Sequence, residues 1–298
     1  MSEIRPAKQP NFISWIFISS EEPRLRAGWR LLVQTLLMIV IGFGPLLTLL
    51  TLTSFGKNGQ IDYLVADILG LIISTSSIYI ARRLLDKRSF TSLGLLLNER
   101  TFIDILRGIA ITFLIMGFIY LYELAAGWLS FKSFAWQTES PARVVGGVLL
   151  FFVMFILGSW NQELLSRGYH LQTIASGMNT FWGMVISCGV FGLLHMGVPN
   201  ATWGGAAGNF FVGLFLSYAY LRTGQLWLSI GLHTGWNFFE GVVFGFPVSG
   251  FKIYPLARIQ VHGPEIWTGG MFGPEAGLIV LPALAIGFVL IYLYTSKK

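Results

Sequence analysis

The run VVGGVLLFFVMFILGSWNQE, residues 144–163, decides the fold class. It is apolar without interruption until Asn161, Gln162 and Glu163 close it. A helix needs roughly 20 such residues to cross the hydrocarbon core of a bilayer. A barrel strand would instead alternate apolar and polar positions over about ten residues, and this run does not. Seven further runs of the same kind occupy residues 31–53, 63–81, 105–124, 180–195, 203–221, 226–244 and 277–294. The run at 180–195 is short and ends on a histidine. The expected architecture is an all-α polytopic membrane helix bundle of about eight transmembrane helices, forming a single membrane domain over residues 1–298.

Composition agrees. Hydrophobic residues make up 54% of the 298 residues and charged residues 11%, with a mean hydropathy of +0.67. Soluble domains carry about 25% charged residues, so a soluble protein is excluded. The net charge of +6 comes mostly from short loops, and no basic stripe interleaved with aromatics points to nucleic acid. With eight spans, the even-numbered loops and both termini hold 15 basic residues: Arg5, Lys8, Arg24, Arg26, Arg30, Arg82, Arg83, Lys87, Arg88, Arg100, Arg107, Arg167, Arg222, Lys297 and Lys298. The opposite side holds 5: Lys57, Lys132, Arg143, Lys252 and Arg258. The positive-inside rule then places both termini in the cytoplasm. Residues 12–18 suit the membrane interface rather than a cleavable signal. Residues 82–107 are expected along the cytoplasmic surface, and residues 245–275, rich in Gly, Pro and aromatics, form an external, partly re-entrant loop. The single cysteine, Cys188, offers no intrachain disulfide or cysteine metal site and reads as a small packing residue.

Ionisable residues at membrane depth are costly and mark function or pairing. Glu163 and Arg167 stand four apart, on one helix face, and can pair. A purely structural ion pair is the bland alternative. His195 ends the fifth run, while His233 and Asn237, again four apart, share a face of the seventh. One histidine in an apolar helix is usually a satisfied core residue. Two histidines with a Glu–Arg pair and an asparagine supply a base, a proton carrier and hydrogen-bond donors, the equipment of amide hydrolysis. Glu240, two turns beyond His233, reads either as a site member or as part of a polar mouth. Asp67 and Glu123 are expected at the membrane interface, and His170 and His262 outside the site. The small residues from Gly204 to Gly213 suit close helix packing, and Gly231 and Gly235 suit close approach of a substrate backbone.

These motifs carry a resemblance. Gln162-Glu163-x-x-x-Arg167-Gly168, Phe191-x-x-x-His195 and His233-x-x-x-Asn237 resemble the three signatures of the CAAX protease and bacteriocin-processing family of intramembrane endopeptidases. The segments from Tyr220 to Trp227 and from Phe244 to Gly250 look like its bacterial members. The likeness spans residues 145–250, about a third of the chain. It implies a multi-pass protein of a bacterial cell membrane, acting on a membrane-associated peptide or protein, for which prenylated CAAX proteins are the eukaryotic precedent. It implies that a first glutamate, with the histidine matching His195, activates water. The residues matching His233 and Asn237 would then hold the oxyanion. No cofactor is expected, and for a divalent metal the family has been argued both ways.

One departure matters, because the position of that first glutamate is Gln162. Glutamine can bind a water but takes no proton from it near neutral pH, and losing a general base costs about 10²–10⁴ in rate. Three readings stand open: a substitution that traps an inactive enzyme, a natural pseudoprotease, or Glu163 as base, although it lies about 100° around an ideal helix. The cavity is expected to open toward the cytoplasmic leaflet, where Glu163 and Arg167 end their span. A non-catalytic scaffold or chaperone on the same fold is the alternative function. A transporter is a weaker one, since no internal repeat supports it.

Overall fold

The computed structural model describes residues 16–19, 22, 24–52 and 60–296. Most of the reading of residues 12–18, and the basic residues Arg5, Lys8, Lys57, Lys297 and Lys298, lie outside them. The protein is an integral membrane protein and almost entirely helical. Helix α1 spans Ala27–Leu52, α2 Gln60–Leu84, and α3 Arg100–Ala125. Helix α4, Pro141–Glu163, passes into a π-helical segment, Leu164–Leu171, and then α5, Gln172–Gly177. There follow α6, Thr180–Leu194, α7, Trp203–Thr223, and α8, Trp227–Asn237, which continues as a second π-helical segment, Phe238–Val243. A single turn, α9, Glu265–Thr268, precedes α10, Val280–Thr295.

Five stretches are long and apolar enough to cross a membrane: Ala27–Pro45, Leu64–Leu84, Arg100–Ala125, Pro141–Gly177 and Thr180–Gly197. The runs at 203–221, 226–244 and 277–294 also fold as helices, but α7, α8 and α10 fall short of that standard in length or composition. The reason lies in packing. Every residue of α8 from Leu228 to Trp236 is buried, so its neighbours are protein side chains, and it needs no lipid-facing surface. Helix α10 has only 16 residues.

Helices α3 and α8 meet almost backbone to backbone. A Cβ on Gly231 would lie 2.3 Å from the Ile105 carbonyl oxygen, and one on Gly108 would lie 2.5 Å from the Leu232 nitrogen. Gly235 faces Thr112 in the same seam. Small residues four apart permit this approach between membrane helices. Gly231 and Gly235 therefore serve helix packing and not, as expected above, the approach of a substrate. Beside this seam Ile115, Met116, Phe215, Leu216, Leu232 and Trp236 form the main core with Ala283 and Leu284 of α10.

The all-α expectation needs one amendment. Strands β1, Leu129–Phe134, and β2, Ala257–Val261, pair antiparallel, with Leu129 opposite Val261 and a register irregularity between Phe131 and Ser133. The ribbon ties the loop after α3 to the 245–275 loop. That loop then folds back into the bundle: the Gly250 amide donates to the Phe272 carbonyl at 2.7 Å. Gly208 of α7 sits against Glu275, whose carbonyl oxygen would be 1.7 Å from a Cβ there. The small residues at the start of α7 thus admit the returning loop.

Candidate active site

Helix α4 ends on the polar triplet that closes its apolar run, and successive side chains diverge around the axis. Gln162 faces a cavity of about 270 Å³. Glu163, next in sequence, points into protein and is fully buried. Its Oε1 accepts from Arg167 Nη1 at 2.8 Å and from His233 Nδ1 at 2.7 Å. The pairing read from the Glu163–Arg167 spacing is therefore present, although Arg167 lies in the wide turns of the π segment. Such segments recur at functional sites.

Arg167 is fully buried and held on several sides. Nη2 donates to the Gly213 carbonyl at 2.9 Å and Nε to Ser217 Oγ at 3.3 Å, and the guanidinium carbon lies 4.5 Å from the centre of the Phe191 ring. Cys188 packs in the same layer, its Sγ 3.3 Å from Ser217 Oγ. A Cβ on Gly213 would fall 3.2 Å from Cys188 Cβ and 3.3 Å from Arg167 Nη2, so glycine makes room for the guanidinium.

The cavity brings Gln162, His195, His233 and Asn237 together from α4, the turn after α6, and α8. Glu163 and Arg167 stand behind it, as supports of His233 rather than as lining. With a carboxylate on Nδ1, that nitrogen carries the hydrogen and Nε2 keeps its lone pair. His195 contacts the Phe191 carbonyl through Nδ1 at 2.8 Å, which likewise leaves Nε2 as the acceptor. Two imidazoles with fixed tautomers and two amide side chains around one space can position a water, accept its proton and donate to an oxyanion.

Two acids that the sequence reading passed over also line the cavity. Asp67, expected at the interface, reaches it from α2, and Glu275 reaches it from the returning loop. Glu275 is held by Trp236 Nε1 at 3.2 Å and Ser249 Oγ at 2.6 Å, and burial pushes its carboxyl above the usual range. No local signal marks either residue, because their placement depends on how distant segments pack. Glu240 is fully buried behind the lining, with no hydrogen-bond partner for either carboxylate oxygen, and Glu123 is buried in the same condition rather than interfacial. His262 sits on the ribbon, 3.2 Å from Ser130 Oγ, and His170 on the π segment; both lie outside the lining.

The cavity runs from Gln162 along α4 past Gly158 and Met154 to Phe151, beneath Val248, Phe251 and Ile253. It therefore extends away from the Arg167 end of the span and toward the 245–275 loop. The expected opening at the Arg167 end is corrected by the loop's return into the bundle. Among the described residues, no three His, Cys, Asp or Glu side chains group so as to hold a metal ion. The donors present do not fit a metal centre.

No curated protein matches the chain. Residues 144–239, which contain all six of Gln162, Glu163, Arg167, His195, His233 and Asn237, match the family model described as type II CAAX prenyl endopeptidase, Rce1-like, in agreement with the resemblance carried by the three motifs.

Proposed function

We propose that the protein is an intramembrane endopeptidase of the CAAX-protease type, hydrolysing a peptide bond in a membrane-associated substrate with water activated by a glutamate–histidine pair. The observation that carries this reading is the hydrogen bond from His233 Nδ1 to the buried Glu163 carboxylate. It fixes the tautomer and steadies the imidazolium that forms when Nε2 takes a proton, as the acid–histidine pair does in other hydrolases. The water adds to the scissile carbonyl carbon while His233 Nε2 accepts its proton. The Asn237 and Gln162 amides donate to the oxyanion. Collapse of the tetrahedral intermediate breaks the C–N bond, and the proton returns from His233 to the leaving amine. His195 is a second proton carrier at the cavity wall. Gln162 holds water and substrate but takes no proton.

The surrounding architecture in this reading is a single membrane domain of eight spans in a bacterial cell membrane, with α7, α8 and α10 completing the five longer crossings. Both termini are cytoplasmic, supported by the division of basic residues between loops. The lining residues Phe151, Met154, Phe155, Val212 and Ile253 suit an apolar substrate segment or an attached lipid chain. A prenylated protein is one substrate of that description.

The test is cleavage of a library of membrane-anchored peptides by the wild-type protein, Gln162→Glu and His233→Ala in nanodiscs. We expect cleavage by the wild type, none by His233→Ala, and a rate about 10²–10⁴ higher for Gln162→Glu, the usual worth of a general base. Hydrolysis by neither the wild type nor Gln162→Glu would overturn the enzymatic reading. The non-catalytic scaffold, favoured by the missing carboxylate at position 162, would then stand. It predicts partner co-purification that survives His195→Ala and His233→Ala.

A further inference from the structure

At the other end of the bundle, where α1 begins and α2 ends, four arginines surround a second cavity of about 270 Å³. They are Arg24, Arg30, Arg82 and Arg88, with Gln172 and Ser176 completing the polar wall. Three of the four are almost wholly buried: Arg24 is 7% exposed, Arg30 2% and Arg82 3%. All three converge on one carboxylate, that of Asp86. Arg24 reaches it at 3.7 Å and Arg82 at 3.3 Å, and Arg30 forms a close ion pair with it. Glu22 serves Arg24 at 2.7 Å and Arg88 at 3.0 Å.

Among the described residues, four guanidinium groups thus face two carboxylates. Buried charge is expensive unless paired and hydrogen-bonded, so the cluster carries surplus positive charge beside an open space. Arg30 shows the deficit directly. Nη1 is bound to Asp86 and Nη2 donates to Ser176 Oγ at 2.6 Å, yet its Nε is buried without a hydrogen-bond partner. A structural ion-pair knot alone would need neither the cavity nor the surplus.

We propose that this cavity is a binding site for a phosphate-bearing anion. Guanidinium forks match the oxygens of phosphate, and such charge-assisted bonds are the stronger ones. The hydroxyl of Ser176 and the amide of Gln172 add neutral donors at the same wall. Two sources share this chemistry: the headgroup of an anionic phospholipid and a free phosphate or pyrophosphate. A lipid source agrees with the side of the bundle, since arginine clusters at span ends attract the anionic leaflet. The site stands apart from the hydrolytic cavity and does not depend on the endopeptidase reading.

The experiment measures thermal unfolding of the full chain in phosphatidylcholine nanodiscs. One arm adds phosphatidylglycerol to the bilayer, and the other adds inorganic pyrophosphate, with chloride at equal ionic strength as control. Stabilisation by phosphatidylglycerol alone assigns a lipid headgroup, and stabilisation by pyrophosphate assigns a soluble phosphate. No stabilisation in either arm overturns the proposal. The half-exposed Arg88 can be changed without opening the core, so Arg88→Ala and Ser176→Ala locate the site. Arg88→Ala should weaken binding about tenfold, in line with a lost hydrogen bond to a charged group. Wild-type affinity in both variants would place the anion elsewhere and also overturn the proposal.

Discussion

Glu163 shows how one step along a helix separates two roles. Its neighbour Gln162 meets the cavity, while Glu163 turns into protein and anchors Arg167 and His233. This bears on the third reading of position 162. Glu163 has its Oε1 engaged by both partners, so it serves as base only through His233. Removing one member of a buried ion pair leaves the other uncompensated, a loss of about 3–5 kcal/mol. We expect Arg167→Ala to lower the unfolding free energy in detergent by that amount. Arg167→Met combined with Glu163→Leu should recover much of it. A double variant no more stable than the single one would show that Arg167 acts through its bonds to Gly213 and Ser217 instead. Because the donors around the cavity do not fit a metal ion, peptide cleavage should be unchanged by EDTA. Loss of activity that zinc restores would reverse that conclusion.

Among the elements, α3 and α8 form the tightest seam, and glycine is what permits it. Gly231→Ala and Gly235→Ala would drive a methyl group into Ile105 and Thr112 respectively. Overpacking of this kind costs about 1–3 kcal/mol, and the shift of α8 would carry His233 away from Glu163. We expect both variants to lose thermal stability, and with it peptide cleavage. Gly146→Ala on α4, where nothing lies within 4 Å, should leave both unchanged. Sequence patterns gave the helices themselves readily, since long apolar runs in lipid have no other way to satisfy their backbone. They gave the wrong meaning for Gly231 and Gly235, because close packing and substrate approach use the same residue. The β1–β2 ribbon was also missed. Leu129–Phe134 is a short run in a loop, and its partner lies beyond residue 250, so no local period reveals the pairing.

For the whole molecule, topology is the measurable property. The loop charges predict that Lys132, exposed after α3, and Arg83, exposed at the end of α2, lie on opposite sides of the membrane. Cys188 is buried and should give little background to thiol reagents. We therefore expect Lys132→Cys to react with a membrane-impermeant maleimide from outside intact cells, and Arg83→Cys to react only after lysis. The reverse pattern would invert the chain and place the arginine-lined cavity outside. The motif residues that line the hydrolytic cavity were legible because their spacing reflects helix faces. Asp67 and Glu275 were not, since one comes from a helix and the other from a returning loop, and only the assembled bundle sets them in one wall.

The π-helical segment Leu164–Leu171 has a consequence that belongs to chain length rather than chemistry. A π turn accommodates one residue more than an α turn, so the segment acts as a phase shifter between two lengths of ordinary helix. Excising a single residue within it would let the α-helix run straight through. Everything after the cut would then rotate by about 100° relative to everything before it. Gln162 and Glu163 would keep their places while Gln172 and Ser176 turned away from the arginines of α1 and α2. The two cavities are thus keyed to one another by residue count, and a one-residue deletion here should do more harm than most substitutions in the same stretch.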